Sequence, residues 1–132
     1  MLGDRPLECS ICHADRSVDQ IVSTMEKWWG KRYDRAQLKR LYGADLRGNP
    51  IRLTLLGGKP HERALAADIA VRRDLPGTTD AIVSLLNDSY PLVRYFAHHS
   101  LEQRAGTPIP LDLNLPGTER VRSARAFLAE RR

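Results

Sequence analysis

Residues 85–102 of the chain read LLNDSYPLVRYFAHHSLE, and this stretch decides the fold. An apolar helical segment that ends at Leu86 is followed by a chain-breaking turn at residues 87–89. Pro91 then fits the first turn of a second helix, because proline lacks the N–H group that would be unpaired there. Along this second helix, side chains recur at helical spacing on one face: Val93, Phe96, Ala97, Ser100 and Leu101. The pattern predicts two helices joined by a tight turn.

Short apolar segments separated by turn signals continue on both sides of this stretch. Towards the C-terminus, Gly106 ends the helix, residues 107–116 form a proline-rich linker, and a last helix begins at about Thr118. Towards the N-terminus, the helix that ends at Leu86 begins at Thr78 or Thr79, and capping residues, prolines and glycines predict four further helices: Ser17 to Gly30, Asp34 to Gly43, Asn49 to Gly57, and Pro60 to Leu75. We therefore expect an all-α fold, with antiparallel helix pairs from about residue 45 onward.

The apolar positions of the predicted helices also define a core. The spacing near 3.6 residues predicts that seven side chains share one interior: Leu65, Ile69, Ile82, Leu86, Val93, Phe96 and Leu101. The helix that follows Ser17 has a stripe of its own that ends in Trp28 and Trp29, and we interpret it as an ordinary core stripe. Met25 lies on that stripe and is expected to fill core.

The motif C-x-x-C-H at residues 9–13 carries the strongest chemical signal in the chain. This motif is typical of c-type haem attachment, in which two thiols bind the vinyl groups of one porphyrin and the histidine becomes the proximal iron ligand. Cys9 and Cys12 are the two cysteines of the sequence, and His13 follows them directly. Three other interpretations stay open, namely a zinc site, a redox dithiol, and two buried thiols beside a surface histidine.

Composition limits the classes of function. The 132 residues carry 21 Lys and Arg against 16 Asp and Glu, a formal charge of +5, but the basic residues are scattered. Without a basic block and interleaved aromatic residues, we expect no nucleic-acid binding. No apolar stretch approaches the ~18 residues of a membrane span. The sequence has no nucleotide-binding fingerprint and no Ser-His-Asp order, so an electron carrier or scaffold is favoured over an enzyme.

Residues 85–102 resemble a HEAT-like repeat, in which Leu-Leu-x-Asp ends one helix and Pro-x-Val-Arg-x-x-Ala begins the next. The resemblance covers about residues 45–130. Together with the haem motif and the helix that ends Trp28-Trp29-Gly30, it is similar to the C-terminal region of bacterial multihaem c-type cytochromes that carry a HEAT-like repeat domain. We therefore expect a haem-binding segment with an amphipathic helix at residues 1–44 and a HEAT-like helical repeat domain at residues 45–132.

The resemblance implies electron transfer through a haem c in the periplasm or another extracytoplasmic space. The partners would be other haem domains or redox proteins, and proteins bound by the helical repeats. Because residues 1–6 do not read as an export signal, we expect a fragment or a mature form of a larger exported cytochrome. The alternative is a HEAT-type protein-interaction module whose C-x-x-C-H is unused or binds zinc.

The distal iron ligand is the most open part of this interpretation. The resemblance implies that ligation by two histidines is common, so we expect the partner histidine to lie outside this chain. Within the chain, His61 at a helix start is the next candidate, and His99 follows it. His98 is expected to be an exposed helix residue, since it shares a side with Arg94.

Overall fold

Eight α-helices and no strand account for the regular structure of residues 7–131, the part of the chain that the computed structural model describes. The prediction of an all-α fold is confirmed. No helix in this part of the chain is long and apolar enough to span a membrane. The helices are α1 (Leu7–Cys12), α2 (Val18–Trp29), α3 (Arg35–Tyr42), α4 (Pro50–Gly57), α5 (Pro60–Arg72), α6 (Thr79–Ser84, continued by a 3-10 turn at Leu85–Asn87), α7 (Pro91–Ala105) and α8 (Gly117–Ala129).

Local chemistry sets most helix ends where the sequence predicts them. Ser17 Oγ accepts a hydrogen bond from the Gln20 N–H at 3.2 Å, and Gln20 Oε1 accepts one from the Ser17 N–H at 2.9 Å. This capping box pairs two N–H groups that would otherwise lack partners at the start of α2. Gly30 ends the same helix at φ 63°, a left-handed conformation that costs glycine little.

Two hydrophobic clusters hold the helices together. The larger one combines residues from α4 to α8 and includes Ile51, Ile82 and Leu101, each with no measurable exposure. α5 packs most extensively against α7 and then against α4. The smaller cluster lies between α2, α3 and the segment before α4: Val18, Val22, Leu38, Tyr42 and Leu46.

Five of the seven predicted core residues belong to the larger cluster, and two do not. Leu65 is 40% exposed, and Phe96 is half-buried. For Leu65 the physical reason is the small inward face of α5, where alanines such as Ala66 and Ala70 are fully buried. Alanines allow neighbouring helices to approach closely, so the larger Leu65 side chain lies outside the contact. The prediction was wrong at these two positions.

Hydrogen bonds join the N-terminal segment to the helices that follow residue 44. Arg73, at the end of α5, donates from Nε to the Ile11 carbonyl oxygen at 2.8 Å. The Asn49 side chain caps α4 and also donates to the Ala14 carbonyl oxygen. The Val18 N–H donates to the Gly48 carbonyl at 3.1 Å. These bonds hold α1 and the start of α2 in place, and the division into two domains at residue 44 stays a prediction.

Candidate functional site

The C-x-x-C-H motif lies on α1 and at its end. Cys9 and Cys12 are three positions apart in this helix, so their side chains lie on the same side of it. The His13 N–H donates to the Cys9 carbonyl oxygen at 3.0 Å, which continues the helical path to the histidine. Both thiols are free, with Cys9 half-buried and Cys12 exposed. The sequence pattern did not predict α1, because a six-residue helix shows too few turns for a periodic signal.

A cleft of about 290 Å³ lies between the motif and α2. Cys9 and His13 line it on the side of α1, and Arg16 lies in the connecting turn. The facing residues of α2 recur every three or four positions, so they form one face of that helix: Gln20, Ile21, Thr24, Met25, Trp28 and Trp29. The cleft is therefore lined both by a thiol and an imidazole of the motif and by a largely apolar face of α2.

The aromatic end of this wall is exposed. Trp28 and Trp29 are 70% and 62% exposed, and their rings meet edge to face with centroids 6.4 Å apart. On the predicted stripe, Val18, Ile21 and Val22 are buried, whereas Met25 is half-buried. The interpretation of the whole stripe as ordinary core was therefore wrong. The two adjacent indoles therefore lie at the surface, beside the cleft, and not in the core.

Arg35, the first residue of α3, connects α3 to the part of α2 that borders the cleft. Its guanidinium donates two hydrogen bonds to the Glu26 carboxylate, at 2.8 and 2.9 Å. Glu26 also accepts from the Tyr33 N–H at 2.9 Å. The hydrogen bonds from Arg35, and then that from Tyr33, lower the pKa of Glu26 below its ordinary value of 4.5. The lowered pKa favours the ionised carboxylate, which accepts the two hydrogen bonds from Arg35 on the turn of α2 that also carries Met25 and Lys27.

The three motif residues relate differently to the cleft. The half-buried Cys9 and the exposed His13 line it, whereas Cys12 is exposed and is not among its lining residues. A cleft of 290 Å³ is at the small end of the range of about 300–1,000 Å³ for small-molecule pockets, so it would cover part of a porphyrin. Within residues 7–131, no group of three or more His, Cys, Asp or Glu side chains is placed to hold a metal ion.

The other candidate ligands, His61 and His99, lie elsewhere. His61 is exposed in the first turn of α5. His99 is exposed on α7, where its ring stacks on Tyr95 with centroids 6.3 Å apart and Gln103 contacts its Nε2 at 3.2 Å. Neither His61 nor His99 is among the described residues that line the cleft.

His98 has a structural role that the sequence did not reveal. Its side chain is 18% exposed, and its Nε2 lies 2.8 Å from the Ile109 carbonyl oxygen. Glu102 accepts a hydrogen bond from the Ile109 N–H at 2.9 Å and lies 3.3 Å from His98. These two side chains join the proline-rich linker to α7. The expectation of an exposed histidine was wrong, because it considered α7 without the linker that covers it.

The turn between α6 and α7 is held by charged side chains and leaves an aromatic surface outside. Arg63 donates to Asp88 at 2.6 Å, and Arg94 donates to the Asp88 and Ser89 carbonyls at 2.9 Å. Tyr90 and Tyr95 are both exposed beside this turn.

When the chain was compared with protein-family models, curated proteins and solved structures, nothing matched.

Proposed function

We propose that this chain binds a haem c and transfers electrons as part of a larger exported multihaem cytochrome. One observation supports this proposal above the others. One cleft is lined by Cys9 and His13 of the motif together with Met25 and the exposed indoles of Trp28 and Trp29 of α2. Apolar side chains that share a cleft with a free thiol and an imidazole suit a mostly apolar cofactor, and Cys12 lies on the same side of α1 as Cys9.

The chain's own residues would hold the cofactor covalently and ligate its iron. Cys9 and Cys12 would each form one thioether bond, with the S–H group adding across a vinyl C=C bond so that no separate oxidant or reductant is needed. The His13 imidazole would ligate the iron. When bound, the haem would supply one-electron chemistry.

Trp28 and Trp29 would control the environment of that site. Once covered by a partner, their indoles would exclude water from one edge of the cleft, and burial is one of the factors that set the potential of a haem. They remain largely exposed in this chain. A neighbouring haem domain or redox protein would cover them, which is the arrangement that the proposed multihaem parent requires.

We also propose that residues 45–132 form a short HEAT-like repeat array. The pairs α4–α5 and α6–α7 are in contact and each is joined by a short turn. The Arg63–Asp88 ion pair connects the first helix pair to the turn of the second. Such repeats stack on their neighbours, so the array would carry the haem segment at one end and bind proteins along its surface.

The experiment is expression of the chain with an export signal and a haem-maturation system. Thioether attachment predicts haem that stays with the polypeptide after denaturation, and two thiols that no longer react with an alkylating agent. Replacing Cys9 and Cys12 with Ala should abolish this attachment, whereas Leu65→Ala, at an exposed position of α5 that does not line the cleft, should leave it intact. A colourless product with both thiols open to alkylation would refute the proposal.

The second candidate is a protein-interaction module whose C-x-x-C-H is unused or binds zinc. It is favoured by the exposed side chains of Tyr90, Leu92 and Tyr95 along the start of α7. A zinc-binding motif predicts one equivalent of zinc in protein purified without haem maturation, and loss of that zinc in Cys12→Ala. If the purified protein contains no zinc, the zinc-binding form of this candidate is excluded, and an interaction module with an unused motif remains.

A further inference from the structure

The two thiols of the motif lie at a spacing that matters without any cofactor. Cys9 and Cys12 are three positions apart on α1, and both are free. The rise and radius of an α-helix place Cα atoms at this spacing about 5 Å apart. A disulfide joins residues whose Cα atoms are about 4.4–6.8 Å apart. The two cysteines are therefore close enough for a bridge within one turn of the helix.

The same helical geometry makes such a bridge easy to reduce. Side chains three positions apart on a helix have Cβ atoms about 5–6 Å apart, whereas a disulfide draws them to about 3.5–4.5 Å. Closing the bridge therefore tightens the last turn of α1, where the His13 N–H donates to the Cys9 carbonyl oxygen at 3.0 Å. A strained or exposed disulfide is reduced more readily than a relaxed structural one, so this bridge would be exchangeable.

Contacts on its other sides hold α1 in place. Ser10 is fully buried, and Arg73 donates from Nε to the Ile11 carbonyl oxygen at 2.8 Å. α1 also packs against α4. The cysteine side stays open, since Cys12 is exposed and Cys9 is half-buried. The anchored helix therefore presents one accessible thiol with a more sheltered thiol beside it.

We propose that Cys9 and Cys12 form a reversible disulfide in the chain without attached haem, and that this pair exchanges with low-molecular-weight disulfides. The inference goes beyond the proposed function, because attached haem occupies both sulfurs. Cys12 is exposed and is not among the residues that line the cleft, so a small disulfide can reach it directly from solvent. The haem-free chain thereby has a thiol–disulfide exchange site of its own.

The exchange proceeds in two steps. The Cys12 thiolate attacks one sulfur of the external disulfide, whose S–S bond breaks, and the departing thiolate takes up the proton that Cys12 gave up. The Cys9 thiolate then attacks the Cys12 sulfur, which forms the Cys9–Cys12 bond and releases the second external thiol with the proton from Cys9. Two thiols of the chain are oxidised to one disulfide, and the external disulfide is reduced to two thiols.

The experiment equilibrates the haem-free full chain with mixtures of reduced and oxidised glutathione, with a metal chelator present. Each sample is treated with an alkylating agent, and mass spectrometry counts the reactive thiols. Both thiols should disappear together in a monomeric chain as the share of oxidised glutathione rises, and should reappear when reduced glutathione is in excess. Thiols that stay open in oxidised glutathione, a bridge between two chains, or a bridge that excess reduced glutathione does not reopen would each overturn the inference.

Two matched variants test the roles of the two thiols. Cys9→Ser removes the resolving thiol, so Cys12 should accumulate a mixed disulfide with glutathione. Cys12→Ser leaves the half-buried Cys9, which should form its mixed disulfide several-fold more slowly. Equal rates, or a faster reaction in Cys12→Ser, would contradict the assignment of Cys12 as the attacking thiol.

The outcomes separate this inference from the proposed function. Attached haem in the matured chain, with no exchangeable disulfide in the haem-free chain, would refute the inference alone. Reversible exchange in a chain that holds no haem, even when it is expressed with an export signal and a haem-maturation system, would refute the proposed function alone.

Discussion

Two leucine-to-alanine substitutions, at Leu101 and Leu65, should differ sharply in their effect on stability. The two residues have the same side chain, and sequence periodicity places both in the core. In the structure Leu101 is fully buried in the larger cluster, whereas Leu65 is 40% exposed on α5. Comparing Leu101→Ala with Leu65→Ala therefore tests the packing of the helices directly, with the chemistry of the substitution held constant.

The structure allows both magnitudes to be worked out. Each substitution removes three carbon atoms at about 0.8 kcal/mol per buried carbon, and at a fully buried site a cavity adds to this, so Leu101→Ala should cost about 3–4 kcal/mol. At Leu65 about three fifths of the transfer term applies and no closed cavity forms. Alanine also has the higher helix propensity, by about 0.2 kcal/mol, so Leu65→Ala should cost about 1 kcal/mol.

The assay is urea unfolding of the haem-free chain, followed by far-ultraviolet circular dichroism. The difference between the two variants should appear as a shift in the midpoint with an unchanged slope, because neither substitution alters the surface exposed on unfolding by much. Equal losses of stability in the two variants would mean that the faces of α5 and α7 are wrongly assigned. A larger loss at Leu65 would refute the packing altogether.

Three further results are expected. Arg104→Met should lower the free energy of unfolding by about 2 kcal/mol, because this half-buried guanidinium donates to two threonine hydroxyls and two backbone carbonyls. Urea unfolding measures the loss, and an unchanged midpoint would contradict those bonds. Hydrogen bonds from Arg35 lower the pKa of Glu26 in the folded state, so the stability that they add should be present above pH 4.5 and be lost as the pH falls through the folded pKa. Glu26→Gln should remove that part of the acid dependence of the urea midpoint, and an acid limb identical to that of the native chain would argue against the pair. Attached haem should quench the fluorescence of Trp28 and Trp29, which border the cleft, relative to the haem-free chain; equal emission would place the haem elsewhere.

The helix pattern was largely predictable because its signals are local. Ser17 and Asn49 cap helices through their own side chains, and Gly30 and Gly106 end helices in left-handed conformations. Each of these signals acts within a few residues and does not depend on the tertiary fold. The exception is α1, whose six residues show no period.

The candidate site was predictable only in part. The spacing of Cys9, Cys12 and His13 indicates haem attachment from the sequence alone, because the chemistry depends on those three residue types at that spacing. The facing wall was not predictable in the same way. A helix stripe that contains Met25 and Trp28 has the same period whether it faces core or an open cleft, and the packing of α2 against its neighbours makes the difference.

The all-α class and most helix ends follow from local signals, because caps, prolines and glycines act within a few residues. Which sides of the helices became interior depended on how the helices pack against one another. The alanine face of α5 excludes Leu65, and the linker at Ile109 covers His98. Arg73 and Asn49 hold the motif segment through bonds to residues 62 and 35 positions away. Such contacts depend on how distant segments meet, and no local pattern in the sequence encodes them.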